Sequence, residues 1–269
     1  MTENKDVQQA HSAIFVPSVP IPDNAVPVKG PDFTSHHDLL TLLDGYGSIG
    51  FQATSLKQAI DVINEMRKWR LSDEPLAEDE EDDGQRQNTK CKIMLGFTSN
   101  LISSGLRDII RYLVQHNHVS GICTTAGGIE EDLIKCLAPT YIAPEGRFDA
   151  DGATLRKQGL NRIGNLVVPN NNYCSFEDWV MPVLDQLVVE QKQGTVWAPS
   201  TVIDRLGREI KNEESYLYWA HKVCLIPLSS FPFKRQHIYR MASQYSALLL
   251  QTVLLAICSG LIPTEQKYL

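Results

Sequence analysis

Two stretches of the chain are rich in the residue types that cradle phosphate. The first runs from Thr98-Ser99-Asn100 to Ser103-Ser104-Gly105, and the second is Thr124-Thr125-Ala126-Gly127-Gly128. Each follows a short apolar run and precedes a helical pattern, so each reads as a strand-to-helix turn. Such a turn brings free backbone N–H groups to a helix N-terminus, where the dipole favours an anion. Gly127 and Gly128 would let a ligand approach the backbone with no Cβ in the way. A pyrophosphate suits this chemistry, although plain tight turns use the same small residues. No GxGxxG occurs, so the ordinary dinucleotide fingerprint is missing. Glu130, Glu131 and Asp132 open the helix after the second turn. Early carboxylates complement a helix dipole, and one facing a cleft would hold a ribose hydroxyl or an ammonium group.

Other chemistry is weaker. His116-Asn117-His118 closes a helix, where cations need no metal to explain them. Trp179, Tyr216, Tyr218 and Trp219 recur at amphipathic spacing and read as core. There is no GxSxG and no HExxH. The six cysteines form no CxxC and have no His partner at zinc spacing, so no metal site is expected and a reducing, cytoplasmic location fits. A net charge of −7 and a pI near 5.5 exclude non-specific nucleic-acid binding, which needs a basic face. An acidic surface suits a cationic substrate.

The elements that position these turns follow from periodicity. KIMLGF (92–97) and VSGICTT (119–125) have strand length, and NRIGNLVVP carries a third strand around Leu166 to Val168. Between them Leu106, Ile109, Ile110 and Leu113 recur at helical spacing, as does GGIEEDLIKCL. Ser175 and Asp178 open a further helix with Trp179, Val183, Leu184, Leu187 and Val188, with Pro182 near its start and Gly194 past its end. Strands alternating with helices predict an α/β fold with a parallel sheet and helices on both faces. Upstream, Ser55 with Gln58 reads as a capping box for a helix carrying Ala59, Ile60, Val62, Ile63 and Met66. Residues 1–30 are rich in Pro and polar groups and read as an extended arm in which Val7 to Ile14 forms a helix if it docks. The acidic stretch after Trp69 reads as a solvated loop. The opening residues lack the pattern of a signal peptide.

Residues 223–269 break from this composition. They hold five charged residues and no Asp, against 52 charged residues in the preceding 222. Tyr245 to Pro263 is a 19-residue run without charge. That is long enough for a marginal membrane span, but Gln251, Ser259 and Gly260 weaken it, and no membrane association is expected. Within the tail LIPLSS reads as a strand.

The runs FTSNLISSGLRDIIRYLVQHN (97–117), TTAGGIEEDLIKCLAPTY (124–141), NRIGNLVVPNNNYCSFEDWVMPVLDQ (161–186) and NEESYLYWAHK (212–222), with GFQATSLKQAIDVINEM upstream, resemble deoxyhypusine synthases. The resemblance covers residues 31–222, as a partial NAD-binding domain, and implies a Rossmann-like sheet, NAD as cofactor and a homotetramer with sites between subunits. It implies oxidation of spermidine and transfer of its aminobutyl group, through an imine on an enzyme lysine, to one lysine of the precursor of the hypusine-containing translation factor. Ser99, Asn100, Leu101, Ile102 and Ser103 match the family's first cofactor loop, and Thr125, Ala126 and Gly127 its second. Glu130 and Glu131 match carboxylates near the spermidine, and Glu131 also the nicotinamide ribose. After Lys222 the resemblance stops. The family's Trp-Gly-Lys segment, which bears the nucleophile, has no counterpart, because all four tryptophans (Trp69, Trp179, Trp197, Trp219) precede the break. The fold is therefore expected to be incomplete and the chain inactive alone, as a truncated isoform with an aberrant tail. The alternative is a catalytically dead regulatory subunit that pairs with a full-length homologue.

Overall fold

A computed structural model describes residues 7, 9–10, 19–76, 84–143 and 151–224. The expected tail elements from residue 225 onward, LIPLSS among them, and much of the 7–14 segment and the acidic run lie outside these residues. The chain divides into two compact units, residues 1–90 and 91–269.

In the first unit residues 19–30 carry no helix or strand, and the Lys29 N–H donates to the Ser48 carbonyl at 2.9 Å. Helix α1 spans Leu39–Gly45, with the Asp38 carboxylate accepting from the Thr41 N–H at 2.7 Å. Helix α2 spans Phe51–Lys68 and starts at Gly50, whose φ of +97° a side chain would strain. The expected capping box at Ser55 and Gln58 is thus inside the helix, where the Ser55 hydroxyl donates back to the Phe51 carbonyl. Gly50 wins the start because the chain must reverse there, and only glycine does so without strain.

The second unit contains a two-stranded parallel sheet. Strand β1 (Met94–Phe97) pairs with β2 (Gly121–Thr124), from Met94 opposite Gly121 to Phe97 opposite Thr124. Helices α3 (Ser99–Ser103) and α4 (Leu106–Gln115) form the crossover, and α5 (Ala126–Leu137) follows β2. The apolar positions of α4 differ in burial. Ile110 and Val114 turn inward while Leu106, Ile109 and Tyr112 stay exposed.

The expected third parallel strand is a correction. Strands β3 (Tyr141–Ile142), β4 (Leu160–Ile163) and β5 (Leu166–Pro169) form a separate antiparallel sheet in the order β3-β5-β4. Asn165 separates β4 from β5 together with Gly164, whose φ is +60°. Such a short glycine turn closes a hairpin, whereas a parallel neighbour needs a long crossover. Between β3 and β4 lies α6 (Gly152–Lys157), capped by the Asp151 carboxylate.

Helix α7 runs Asn170–Lys192, so it begins before Ser175, directly off β5, and Pro182 lies near its middle. Gly194, at φ +101°, follows its end. Helix α8 (Pro199–Ile210) has Pro199 at its first position, where no N–H is needed. It packs on α9 (Tyr216–Cys224) at Gly207, where any Cβ would strike the Leu217 carbonyl. Ile110, Ile122, Leu133, Val183, Leu206 and Leu217 lie in one core drawn from β2 and helices α4, α5, α7, α8 and α9. The unit is α/β, as expected.

Candidate functional site

The flush C-terminal ends of β1 and β2 place the two small-residue turns side by side. Thr98 and Thr125 are the extended residues before α3 and α5, and neither side chain caps its helix. Gly127 lies so close to Ser99 that a Cβ there would sit 2.9 Å from the Ser99 Cβ. Gly128 faces Thr124 in the same way, and any Cβ would overlap the Thr124 hydroxyl. Both glycines are required by close approach, not by backbone angle. Ser99, Ser103, Gly127 and Glu131 thereby share one locality.

Glu131 is 8% exposed, and its Oε2 has no hydrogen-bond partner. The Thr124 Oγ1 is likewise buried without a partner. Two such orphans in one place are costly unless something else satisfies them. Burial pushes the Glu131 carboxyl above its usual range, the Glu130 charge adds to this, and the Ser103 hydroxyl and Lys135 pull it back. Burial alone raises Glu130. The pair can hold a proton more readily than ordinary glutamates, or pair with a cation.

The remaining expected residues divide. Asn100 and Thr125 are exposed at the turns, and Ala126 and Leu101 are half-buried. Ile102 is 0% exposed and belongs to the core, so its side chain does not face a ligand. Two residues were not singled out from the sequence. Tyr173 of α7 lies near both carboxylates, since burial and then the charges of Glu131 and Glu130 raise its phenol pKa. Only the fold brings it there. Lys135 donates to the carbonyls of Ile102, Ser103 and Ser104 at 2.9–3.2 Å and so caps the end of α3. Burial lowers its pKa, with the Arg107 charge assisting.

Asp132 has a different role from its neighbours. It is fully buried and accepts from Arg107 Nε at 2.7 Å, the Ser215 hydroxyl at 2.5 Å and the backbone N–H groups of Tyr216 and Leu217 at 3.4 Å each. One carboxylate thus joins α4 to α5 and caps α9. Burial raises the Asp132 carboxyl against the pull of Arg107 and Ser215. Burial also pulls the Arg107 pKa down, but Asp132 and Cys136 more than offset this and leave it raised. The pair serves structure.

Among the described residues no group of three or more His, Cys, Asp or Glu is placed to hold a metal ion. No described helix is long and apolar enough to cross a membrane.

Comparison with known proteins shows the family of the chain. The chain is 60% identical over 200 residues to the "probable deoxyhypusine synthase" of Dictyostelium discoideum, covering 74% of this chain and 52% of that protein. It is 51% identical over 223 residues to the homospermidine synthase of Senecio vulgaris, covering 81% and 60%. A solved structure of a candidate deoxyhypusine synthase from Entamoeba histolytica aligns at 28% identity and a TM-score of 0.49, over 72% of this chain and 59% of that one. The chain thus spans between half and two thirds of the length of these curated relatives. The profile of the deoxyhypusine synthase family matches residues 41–228. The chain belongs to the deoxyhypusine synthase family.

Proposed function

We propose that the chain carries the cofactor half of an NAD-dependent aminobutyl transferase acting on spermidine. The observation that carries this reading is the meeting of two uncapped strand-to-helix turns beside the orphaned Glu131 Oε2. The residues present fit a dinucleotide. The first N–H groups of α5 would receive the pyrophosphate, while Gly127 and Gly128 let that first turn pack against Ser99 and Thr124. Ser99, Asn100, Ser103, Thr125, Ala126 and Gly127 would hold the NAD, with Leu101 and Ile102 shaping the turn from below. NAD, when bound, supplies the hydride acceptor that turns an amine into an imine.

Glu131 would bind a ribose hydroxyl, and Glu130 with Glu131 would attract the ammonium groups of spermidine, with the Tyr173 hydroxyl alongside. Two desolvated carboxylates interact strongly with a cation because little water screens them. The imine route requires an enzyme lysine as nucleophile, and no lysine of this sequence follows Trp-Gly. Among the described residues the parallel sheet has two strands, few for a doubly wound fold. The chain alone would therefore bind NAD without completing transfer, and turnover would need a full-length homologue in a mixed tetramer. The acceptor in the complete reaction would be the lysine of the translation-factor precursor. The relative named homospermidine synthase favours a second reading, in which the acceptor is a free amine.

The test is a calorimetric titration of the whole chain with NAD, paired with transfer of label from spermidine to the factor precursor or to a free diamine. Measurable NAD binding and no transfer is the expected result. Transfer by the chain alone would overturn the missing-nucleophile reading, and absence of NAD binding would overturn the cofactor reading.

A further inference from the structure

Tyr216, the first residue of α9, is 1% exposed and contacts the strand end before one turn and the helix start after the other. Its hydroxyl donates to the Gly128 carbonyl at 2.9 Å, in the first turn of α5. Its ring meets the Phe97 ring edge-on, with centroids 5.9 Å apart and planes at 82°. Phe97 ends β1 and immediately precedes the Thr98-Ser99 turn. One side chain thus braces the residue before the first turn and a carbonyl inside the second.

The brace is itself held from two sides. The Asp132 carboxylate accepts from the Tyr216 N–H, and the Ser215 hydroxyl it also binds accepts from the Tyr218 N–H at 3.0 Å. Arg107 fixes Asp132 in turn. The start of α9 is therefore locked to the same helix whose first turn it grips. Gly128 adds to the precision, since Thr124 fills the space a side chain would need. A buried phenol normally finds one acceptor. Here the acceptor lies where a small rotation would change the direction of the Ala126 and Gly127 N–H groups.

We infer that Tyr216 is a positioning residue for the dinucleotide: it sets the spacing and tilt of the two turns and never contacts the ligand. This rests on the cofactor reading above. It also gives 212–218, a segment outside both proposed cofactor loops, a part in positioning them.

The experiment uses the full chain and NAD. Tyr216→Phe keeps the ring contact with Phe97 and removes only the hydroxyl. It should weaken NAD binding about threefold to tenfold, the range expected when one buried hydrogen bond is lost from the bound geometry. Ile210→Val, a core change in α8, should lower stability by a similar amount and leave NAD affinity unchanged. Equal affinity for Tyr216→Phe and the parent would overturn the inference, as would equal weakening by both variants. Failure of the parent itself to bind NAD would instead overturn the cofactor reading and remove the inference with it. Hydrogen exchange on the unmutated chain gives a second measurement. Added NAD should protect 98–104, 124–129 and 212–218 together, and an unchanged 212–218 segment would refute the brace even if Tyr216→Phe fails to fold.

Discussion

Replacing Asp132 by Asn tests how much the buried hub contributes. The carboxylate is wholly buried and Arg107 is 4% exposed. Among the described residues its other ion-pair partner, Glu214, stands 3.9 Å away and is itself 73% exposed, so water screens it. Asp132→Asn removes the charge without removing volume. It also places an NH2 donor among Arg107, the Ser215 hydroxyl and two backbone N–H groups. Ser215 can rotate to accept, but Arg107 keeps a buried charge and loses its close, buried countercharge. Breaking a buried pair on one side costs about 3–5 kcal/mol, a large part of the roughly 5–15 kcal/mol that a domain has. Melting should fall by about 10–20 °C at roughly 4 °C per kcal/mol. Urea unfolding of the whole chain, followed by tryptophan emission, reads it out, since Trp179, Trp197 and Trp219 all lie in the second unit. The double change Asp132→Leu with Arg107→Met should lose much less than the two single changes together, because an apolar pair leaves no charge stranded. A loss below about 1 kcal/mol for Asp132→Asn would refute the argument, since that is the value of an ordinary exposed ion pair.

Three further outcomes follow from the geometry. Glu131→Gln should raise the melting temperature at neutral pH and weaken NAD binding. The folded pKa of Glu131 is raised, so its stabilising contribution is present below the usual value of 4.5 and lost as pH rises through the folded value. The difference between Glu131→Gln and the parent should therefore vanish in acid, and a lower melting temperature at pH 7 would contradict it. Gly207→Ala should destabilise the second unit by about 1–3 kcal/mol, because the new methyl meets the Leu217 backbone and not a movable side chain; denaturant midpoints check this. The Cys136 thiol is pushed up to about 12, chiefly by burial, so it should resist alkylation at pH 8 while the exposed Cys174 reacts. Peptide mass spectrometry after iodoacetamide treatment decides it, and early labelling of Cys136 would sink the reasoning.

The local structure around the two turns was legible in the sequence. The turns at Ser99 and Thr125 were legible because small and hydroxyl residues follow short apolar runs, and their pairing follows from β1 and β2 being parallel neighbours. The third strand was misplaced because LVV reads identically in a buried parallel strand and in a hairpin. Only Gly164 pointed to the tight reversal, and it carried less weight than the alternating helices. Ile102 was counted with the cofactor loop because it sits in the matched run, yet its side chain faces the core. Asp132 could not be separated from Glu130 and Glu131 by type or spacing. Its partners, Arg107 and Ser215, lie 25 and 83 residues away, and periodicity carries no information over such distances. The proximity of Tyr173 to Glu131 and of Tyr216 to Gly128 was invisible for the same reason.

The reach from Asp132 to Ser215 also bears on the order in which the polypeptide matures during synthesis. The ribosome releases β1, both turns and α5 long before α9. During that interval the Asp132 carboxylate lacks the hydroxyl and N–H groups that finally surround it. A charge satisfied only in part, by Arg107, resists burial, so the nascent second unit has reason to stay open until residues 215–217 emerge. Contacts of such sequence separation form late in general. A nascent chain stalled before Ser215 should therefore expose the apolar faces of α4 and α5 and present a substrate for chaperones. A chain only a few residues longer can close them.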